Sequence, residues 1–493
     1  MYSEPHIGCI EHINILLDIT IFVVYVVIVF GVGYYFYRKN KTVDDYYVAG
    51  RDVGSWHIGL SVVATDVGGG FSIGLGGLGF VMGISGSWIL FTGLIGAWLA
   101  IIFLIPKVYA LPHLKSYSTL PQIFDFFYGK QVAILAGVIT TVGYLSFTSS
   151  QIIAGAKLAS GTFTDLSFPY AVLIMGSVAV GYTILGGLKA VIYTDTVQWI
   201  VLMAGLLFIG VPYAYHAVGG WEVIHNTLPE SYFSLSNISW KQLINWGITI
   251  IPIWFVGMTL YQRMFASRGE QEAKKAWFIA GLFEWPIMAF LGVTLGLLSK
   301  VALEQGVFAE LGILPGSSID EELGLPILLR TVLPSGLMGL VLAAYFSAVM
   351  STADSCLMAC SGSFLTDILR IKSKGNELDR ESLRYSQLAT LFLGIIALVI
   401  ALFLENVLEA MLFSYAFMVS GLFVPIIGAL YWKRATQLGA MTAMVIGGGT
   451  TIGLTLTKTE LFGFDPNLYG ILAALIAFIL LGNFKSKQNE PHD

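Results

Sequence analysis

One stretch of the sequence, VVATDVGGGFS at residues 62–72, decides the fold. It lies inside an apolar segment, yet it holds an acidic residue and the first three of seven glycines between Gly68 and Gly79. Each glycine in a helix interior costs about 1 kcal/mol relative to alanine. Some of these glycines suit close helix packing, but three in a row beside a carboxylate predict an unwound turn. A membrane tolerates an unwound backbone only around a cavity or a bound ion.

The rest of the composition is that of a membrane protein. Of the 493 residues, 56% are hydrophobic and 12% are charged, against about 25% charged in a soluble domain. Such a chain must be solvated by a lipid bilayer. The net charge of −5 is mild, and no basic patch with interleaved aromatic residues indicates nucleic acid as a partner. No catalytic motif stands out, so we expect a protein that is not an enzyme.

Apolar segments of about 20 residues, enough to cross a bilayer, recur thirteen times, and we number them 0 to 12. Their centres lie near Val24, Gly68, Leu94, Thr141, Gly176, Met203, Trp254, Phe290, Ala348, Ile396, Met418, Ile446 and Leu475. We therefore predict an all-α polytopic membrane protein with one transmembrane domain over residues 1–493. The predicted boundaries are 13–36 for segment 0, 56–216 for segments 1–5, 243–432 for segments 6–10, 436–484 for segments 11 and 12, and 485–493 for a cytoplasmic tail.

The distribution of basic residues predicts the orientation, because cytoplasmic loops carry an excess of Lys and Arg. With the N-terminus outside and the C-terminus inside, the inside loops hold 21 of the 26 basic residues, Arg263 among them, and the outside loops hold 4. Lys157 falls near a helix end. In the long outside loops, about 216–242 and 301–334, we interpret the carboxylates as solvated surface. They are Glu222, Glu230, Asp320, Glu321 and Glu322.

A second interruption is predicted in segment 6, where Pro252 and Gly257 flank Trp254. Segments 1 and 6 are five apart, and five is odd, so a repeat of segments 1–5 in segments 6–10 must have inverted topology. Two interrupted helices at corresponding positions of inverted halves indicate a solute site near the bilayer midplane. Taken alone, a proline kink is also compatible with a structural role.

Intramembrane acidic residues are expensive and are typical of functional sites. Asp66 beside the glycines is the first, with pairing to a neighbouring helix or capping of the break as alternatives. Segment 8 holds Ser351, Asp354 and Ser355 on one helical face, although such hydroxyls often only bond the preceding turn. Asp195 in segment 5 could guide a cation, pair with Lys189 or cap the helix. Glu284 in segment 7 has no assigned role.

Several of these stretches resemble the sodium:solute symporter family, which includes sodium/glucose, sodium/proline, pantothenate and choline carriers. The stretch TVDDYYVAGR at residues 42–51 looks like the signature that precedes segment 1 in that family. The resemblance continues through residues 64–70, 186–198, 261–263 and 348–367, and it spans about residues 13–440. It implies a LeuT-type five-plus-five inverted repeat with flanking helices, in agreement with the repeat argued above.

The resemblance also implies a sodium site between segments 1 and 8. Its ligands would be the backbone carbonyls of Ala64, Val67 and Ala348 and the hydroxyls of Ser351 and Thr352. Some members of the family bind a second sodium ion. The matching positions for a second ion, or for the sodium exit, are Asp195, Ser351, Asp354 and Ser355.

The solute-facing positions depart from the best-known branches. Sugar carriers have an Asn-Gln-Tyr run where this chain has Gly257, Met258 and Thr259, which argues against a sugar. The glycine run resembles the choline carriers, but two of their aromatic cage positions fall at Asp66 and Gly257. A cationic or zwitterionic solute is favoured. The predicted solute residues are Asp66, Gly68, Phe71, Gln151, Trp254, Gly257, Met258, Tyr261 and Phe417.

Together these observations predict a secondary transporter of the plasma (inner) membrane that couples sodium to a small organic solute by alternating access. The solute is expected to be an amino acid, a choline-like compound or another zwitterion or cation. Two alternatives stay open. One is a proton-coupled carrier of the same fold, with Asp66 or Asp354 titrating. The other is a membrane sensor that keeps the carrier fold, although a sensor usually needs an output domain and the tail after Phe484 is short.

Overall fold

A computed structural model describes residues 7–39, 43–163, 165–371, 380–459 and 461–482. Three features named above lie outside these residues: Thr42 of the signature stretch, Phe484 and the predicted cytoplasmic tail 485–493. The described part of the chain is almost entirely helical.

Twenty-one α-helices account for most of the described residues. They are α1 (Ile7–Lys39), α2 (Val43–Val48), α3 (Ser55–Asp66), α4 (Gly69–Met82), α5 (Trp88–Leu99), α6 (Ile105–Tyr109), α7 (Leu120–Tyr128), α8 (Lys130–Thr162), α9 (Phe168–Gly205), α10 (Val211–Ala217), α11 (Gly220–Thr227), α12 (Trp240–Val256), α13 (Met258–Ala266), α14 (Glu270–Phe283), α15 (Phe290–Glu304), α16 (Glu321–Val332), α17 (Leu337–Ser363), α18 (Arg380–Ala401), α19 (Val407–Tyr431), α20 (Gln437–Leu456) and α21 (Pro466–Gly482). Wider π-helical turns occupy Ala100–Leu104, Leu206–Gly210, Glu284–Ala289 and Phe364–Ile368. Short 3-10 turns occupy Ala49–Arg51, Gly83–Ser87, Leu114–Ser116, Glu230–Phe233 and Ala309–Leu311.

Ten helical runs among the described residues are long and apolar enough to cross a membrane, and two shorter apolar helices lie at Phe168–Ile184 and Pro466–Gly482. One of the ten, Gly70–Tyr109, contains both the second half of segment 1 and all of segment 2. Each predicted apolar segment therefore coincides with helical structure, and the prediction of a multi-pass all-α protein is confirmed. The number of thirteen crossings and the outside N-terminus stay predictions.

Segment 1 is broken where its glycines predicted an interruption. Helix α3 ends at Asp66 and α4 begins at Gly69, with Gly68 between them at φ −27° and ψ −163°. A Cβ atom on Gly68 would lie 1.6 Å from the Thr352 hydroxyl oxygen. The glycine is therefore required because α17 approaches the broken backbone directly.

Segment 6 is broken as well, at Gly257 rather than at Pro252. Pro252 lies inside α12, which continues to Val256, and α13 begins at Met258. Gly257 adopts the extended conformation, with φ −64° and ψ 112°. The pair of interrupted helices predicted from the sequence is thus present in segments 1 and 6.

Segments 4 and 5 form one helical run, α9, which bends sharply inside the 186–198 stretch. The bend is at Gly187, whose φ of 66° and ψ of 175° lie outside the helical region. A positive φ of this size favours glycine over every other residue. The bend changes the direction of the second half of α9, and Asp195 lies about two turns after Gly187.

Helix α17 forms the centre of the bundle. It packs against α8, α9, α1 and α18, and nearly all of its residues are buried within the protein. Such a helix contacts very little lipid, so its hydroxyl and carboxyl groups have to find partners on other helices. Those partners define the candidate site.

The interpretation of the outer carboxylates as solvated surface is wrong for Glu322. Its side chain is 6% exposed and lies 2.7 Å from the Lys157 ammonium group, which also contacts Asp320 at 2.6 Å. Glu322 accepts from the backbone N–H groups of Val407 and Leu408 at the start of α19, both at 2.9 Å. A helix N-terminus and an ammonium group are both attractive to a carboxylate, so Glu322 joins α8, α16 and α19.

Candidate functional site

Most of the predicted sodium ligands lie at the break in segment 1. The Thr352 hydroxyl donates to the Ala64 carbonyl at 3.0 Å and lies 3.2 Å from the Ala348 carbonyl. Val67 follows at the break itself and is fully buried. Three of the five predicted ligands are therefore in direct contact, and hard oxygen atoms of this kind suit a cation such as sodium.

Ser351, the remaining predicted ligand, faces the other way. Its hydroxyl donates to Asp195 Oδ1 at 2.5 Å, and Ser61 donates to Asp195 Oδ2 at 2.5 Å. Asp195 is completely buried. It pairs neither with Lys189 nor with a helix end, the two alternatives considered for it.

The cation that faces Asp195 is Arg263, which the count of basic residues had assigned to a cytoplasmic loop. That assignment is wrong. Arg263 lies in α13 with a completely buried side chain, and its Nη2 atom is 3.2 Å from Asp195 Oδ2. A buried carboxylate requires a compensating charge, and this requirement draws the guanidinium group into the bundle. The stretch 261–263 had been noted only for its resemblance to the family, and no local pattern indicated its burial.

The guanidinium group of Arg263 also holds three hydroxyl groups of the two central helices. It donates to Ser61 at 3.0 Å, to Thr65 at 2.5 Å and to Ser355 at 2.7 Å. Thr65 and Ser355 lie 3.0 Å from each other. Arg263 therefore connects segments 1, 5, 6 and 8 within a single polar cluster, which we call the Arg263 cluster.

Asp354 lies outside the Arg263 cluster. Thr183 of α9 donates to Asp354 Oδ1 at 2.5 Å, and the Asp354 side chain is buried. Of the positions matched to a second sodium ion, Asp195, Ser351 and Ser355 are joined through Arg263, whereas Asp354 has a separate partner. Spacing along α17 had placed Ser351, Asp354 and Ser355 on one face.

The predicted solute residues beside the segment 1 break form a second group. The Tyr415 hydroxyl of α19 donates to Asp66 Oδ1 at 3.0 Å. The Phe71 and Phe147 rings flank Tyr415, with centroids 6.5 Å and 5.0 Å from it. Gln151 of α8 accepts from the Gly70 backbone N–H at 3.0 Å. Asp66, Phe71 and Gln151 are thus gathered at the break, and Tyr415 belongs with them.

The other predicted solute residues are placed differently. Trp254 packs against Trp277 with ring centroids 6.4 Å apart. The Met258 sulfur accepts from the Leu120 N–H, and the Tyr261 hydroxyl donates to the Phe255 carbonyl in its own segment. Phe417 approaches Gly448 of α20. Among the described residues, no hydrogen bond or ring pair joins Met258, Tyr261 or Phe417 to Asp66, Phe71, Gln151 or Tyr415.

Glu284, to which no role was assigned, lies beside Asp66. The two carboxyl groups are close enough to interact electrostatically, and neither oxygen of Glu284 has an N–H or O–H donor within the described residues. Glu284 opens the π-helical turn Glu284–Ala289, and such turns are frequent at functional sites. An acidic residue in an apolar segment was the available signal, but its partner was not apparent from the sequence.

Two broken helices that face buried oxygen clusters inside an apolar helical bundle define a secondary transporter. The comparisons with known proteins agree. The model of the sodium:solute symporter family matches residues 46–447, and the chain belongs to this family. The resemblance described from the sequence is therefore confirmed.

The chain is similar to several transporters over most of its length. It is 28% identical to the high-affinity proline transporter PutP of Bacillus subtilis over 435 residues, which are 85% of this chain and 88% of the relative. It is 26% identical to sodium/glucose cotransporter 1 of Oryctolagus cuniculus over 497 residues, covering 91% of this chain and 73% of the relative. Both of these relatives are transporters rather than enzymes.

A solved structure of a Na⁺-coupled sialic acid symporter in a substrate-bound outward-open state has a similar fold. Its TM-score is 0.78 at 21% identity, and the match covers 95% of this chain and 98% of that chain. At this identity the likeness shows the fold alone, which is a LeuT-like transporter fold. Family membership and fold together support a multi-pass membrane protein that performs sodium-coupled symport.

Proposed function

We propose that the chain carries a small organic solute together with sodium across the plasma (inner) membrane by alternating access. The contact between the Thr352 hydroxyl and the Ala64 carbonyl carries this proposal. It brings a hydroxyl of the central helix to a carbonyl at a helix break, where oxygen atoms are available for a cation. Both sodium and the solute are cargo.

The sodium site consists of the carbonyls of Ala64, Val67 and Ala348 with the hydroxyls of Ser351 and Thr352. Thr352 already lies between two of the carbonyls. Ser351 joins them when its hydroxyl rotates away from Asp195, a change of one side-chain torsion. Sodium bound here ties segment 1 to segment 8 and stabilises the outward-open state, in which the solute binds beside the breaks.

The Arg263 cluster lies on the exit route of sodium. Arg263 already supplies the positive charge at Asp195, so a cation reaches this carboxylate only when the guanidinium group withdraws. The same exchange would create a second sodium site from Asp195, Ser351 and Ser355, with Asp354 one turn away. Release of sodium toward the inside then re-forms the ion pair.

The solute site comprises the group around Asp66. A carboxylate, the Gln151 amide and the rings of Phe71 and Tyr415 offer hydrogen bonds and aromatic faces to a small cation or zwitterion. Gly68 leaves room for close approach at the break, and Trp254 and Gly257 belong to the second broken helix. Tyr415 of α19 closes the site from the outside.

A proton-coupled carrier of the same fold is the second candidate. It is favoured by the proximity of the Asp66 and Glu284 carboxyl groups, because a nearby like charge disfavours ionisation of both. The two candidates differ in the ion whose binding strengthens the binding of the solute.

A thermal unfolding screen of the purified protein tests the proposal. Small amino acids, amines and sugars are added in NaCl and, as the control, in KCl of the same concentration. We expect the solute to raise Tm more in NaCl than in KCl, because two cargoes that stabilise one state strengthen each other's binding reciprocally. A solute present at about 100 times its Kd adds about 2.7 kcal/mol to the free energy of unfolding. Shifts of the same size in both salts would contradict sodium coupling.

A further inference from the structure

Helix α1, the predicted segment 0, reaches the centre of the bundle through one polar side chain. Much of its surface is apolar and exposed, as at Val24 and Val27, and such a surface is suited to lipid. Tyr25 points the other way. It is partly buried, and its hydroxyl group makes hydrogen bonds to both α9 and α17, the two helices that carry Asp195 and Ser351.

The Tyr25 hydroxyl group forms a bridge between α9 and α17. The Gln198 side chain of α9 donates to it at 3.0 Å, and the same hydroxyl is hydrogen-bonded to the Ser347 hydroxyl of α17. A tyrosine hydroxyl can accept one hydrogen bond and donate another, so both bonds form together. Gln198 Oε1 has no donor within the described residues, and the orientation of this amide therefore depends on Tyr25.

This bridge lies one helical turn from the contact between Asp195 and Ser351, in which Ser351 donates to Asp195 Oδ1 at 2.5 Å. On α17, Ser347 and Ser351 are four residues apart and share one face. On α9, Asp195 and Gln198 are three residues apart and share a face in the same way. Two successive links therefore hold α9 against α17, one direct and one through the hydroxyl group of a third helix.

The bridge also ends next to a proposed sodium ligand. Ser347 directly precedes Ala348, whose carbonyl group lies 3.2 Å from the Thr352 hydroxyl. The Ser351 hydroxyl, on the same face as Ser347, has to leave Asp195 to join the ion. Sodium binding thus requires a defined rotation of α17 and a defined distance from α9, because ligands that neighbouring groups hold in place bind a metal ion more tightly.

We propose that Tyr25 is a positioning residue for the sodium site, an inference that rests on the proposed sodium-coupled symport. Tyr25 does not touch the ion. It holds α9 and α17 at the separation at which the Ala348 carbonyl and the Ser351 hydroxyl reach the ion together. Helix α1 is thereby part of the machinery that binds sodium and not only a membrane anchor.

The test uses the purified full-length protein, with sodium alone as the probe. Tm is measured over a series of NaCl concentrations, and KCl keeps the total salt constant. Tyr25→Phe removes the hydroxyl group and keeps the ring. The sodium concentration that gives a stated rise in Tm should increase about threefold to tenfold, the equivalent of one neutral hydrogen bond. The Tm in KCl reports the structural cost separately, because it contains no contribution from sodium binding.

Ser347→Ala removes the other end of the bridge and should raise the required sodium concentration by a similar factor. It takes the place of Tyr25→Phe if that variant does not fold. The double variant should need little more sodium than either single variant, because all three lack the same hydrogen bond. Factors that multiply in the double variant would overturn the bridge.

Asp18→Ala is the matched control, because it removes a contact between the same two helices away from the sodium site. Asp18 Oδ1 accepts from the Gly336 and Gly339 N–H groups at the start of α17, both at 2.7 Å. The variant should have a lower Tm in KCl, since two N–H groups lose their acceptor, and an unchanged response to sodium. A sodium requirement raised as much as in Tyr25→Phe would overturn the specific role of Tyr25.

Failure of the symport proposal is distinguishable from failure of this inference. A wild-type Tm that is the same in NaCl and KCl contradicts the sodium site itself, and the role of Tyr25 is overturned with it. A wild-type protein that responds to sodium, with the same response in Tyr25→Phe, overturns the role of Tyr25 alone.

Discussion

Arg263→Met should lower the free energy of unfolding by about 3–5 kcal/mol, because it leaves the buried Asp195 carboxylate without its cation. Both side chains of this ion pair are 0% exposed, so water cannot replace the guanidinium group. The Thr65 and Ser355 hydroxyls lose their common donor at the same time. Equilibrium unfolding of the detergent-solubilised protein in mixed SDS micelles measures the change.

The double variant Arg263→Met with Asp195→Asn should recover most of this loss, because a neutral amide needs no cation. Its oxygen accepts from one of the Ser61 and Ser351 hydroxyls, and its NH2 group donates to the other. Arg268→Met is the matched control. It breaks the ion pair with Asp52, whose side chains are 59% and 79% exposed, and it should cost no more than about 1 kcal/mol. Equal losses in Arg263→Met and Arg268→Met, or strictly additive losses in the double variant, would argue against a buried pair.

Ser351→Ala combined with Thr352→Ala should raise the sodium concentration for half-maximal uptake at least about tenfold. The loss of each hydroxyl ligand should weaken the binding free energy of sodium by about 1.5–3 kcal/mol, the range for a hydrogen bond to a charged group. Uptake of the solute into proteoliposomes at a series of sodium concentrations measures the change. The maximal rate at saturating sodium should fall less than the affinity for sodium does.

Two variants serve as controls for this experiment. Thr352→Ser keeps the hydroxyl that contacts Ala64 and should keep the wild-type sodium dependence. Ser361→Ala removes a buried hydroxyl of the same helix, which donates to the Met358 carbonyl one turn away, and it should also have no effect. An unaltered sodium dependence in the double alanine variant would remove Ser351 and Thr352 from the sodium site.

The sequence predicted those features of the fold that depend on residues close together in the chain. Glycines beside Asp66 predicted the break at Gly68, because an acidic, glycine-rich turn cannot stay helical in lipid without a reason. The composition predicted an all-helical membrane protein in the same way. The break in segment 6 was predicted within a few residues, and it falls at Gly257. Pro252 does not end α12, because neighbouring helices can satisfy the backbone groups that a proline leaves unpaired.

The parts of the site that escaped prediction are pairings between distant residues. Arg263 and Asp195 are 68 positions apart, and Lys157 and Glu322 are 165 apart. Arg263 looked like a loop charge and Glu322 like a surface charge, because a charge count cannot distinguish a loop residue from one buried beside a partner of opposite charge. Asp66 and Glu284 were both recognised as intramembrane acidic residues, but their proximity also joins distant parts of the sequence.

Uptake of the solute identified in the screen, into proteoliposomes with imposed ion gradients, tests the central claim of sodium-coupled symport most directly. An inward sodium gradient should drive accumulation of the solute above its outside concentration, and replacement of sodium by potassium should abolish it. A pH gradient alone should drive none. Uptake that is unchanged when potassium replaces sodium, or accumulation driven by the pH gradient alone, would contradict the sodium-coupled mechanism.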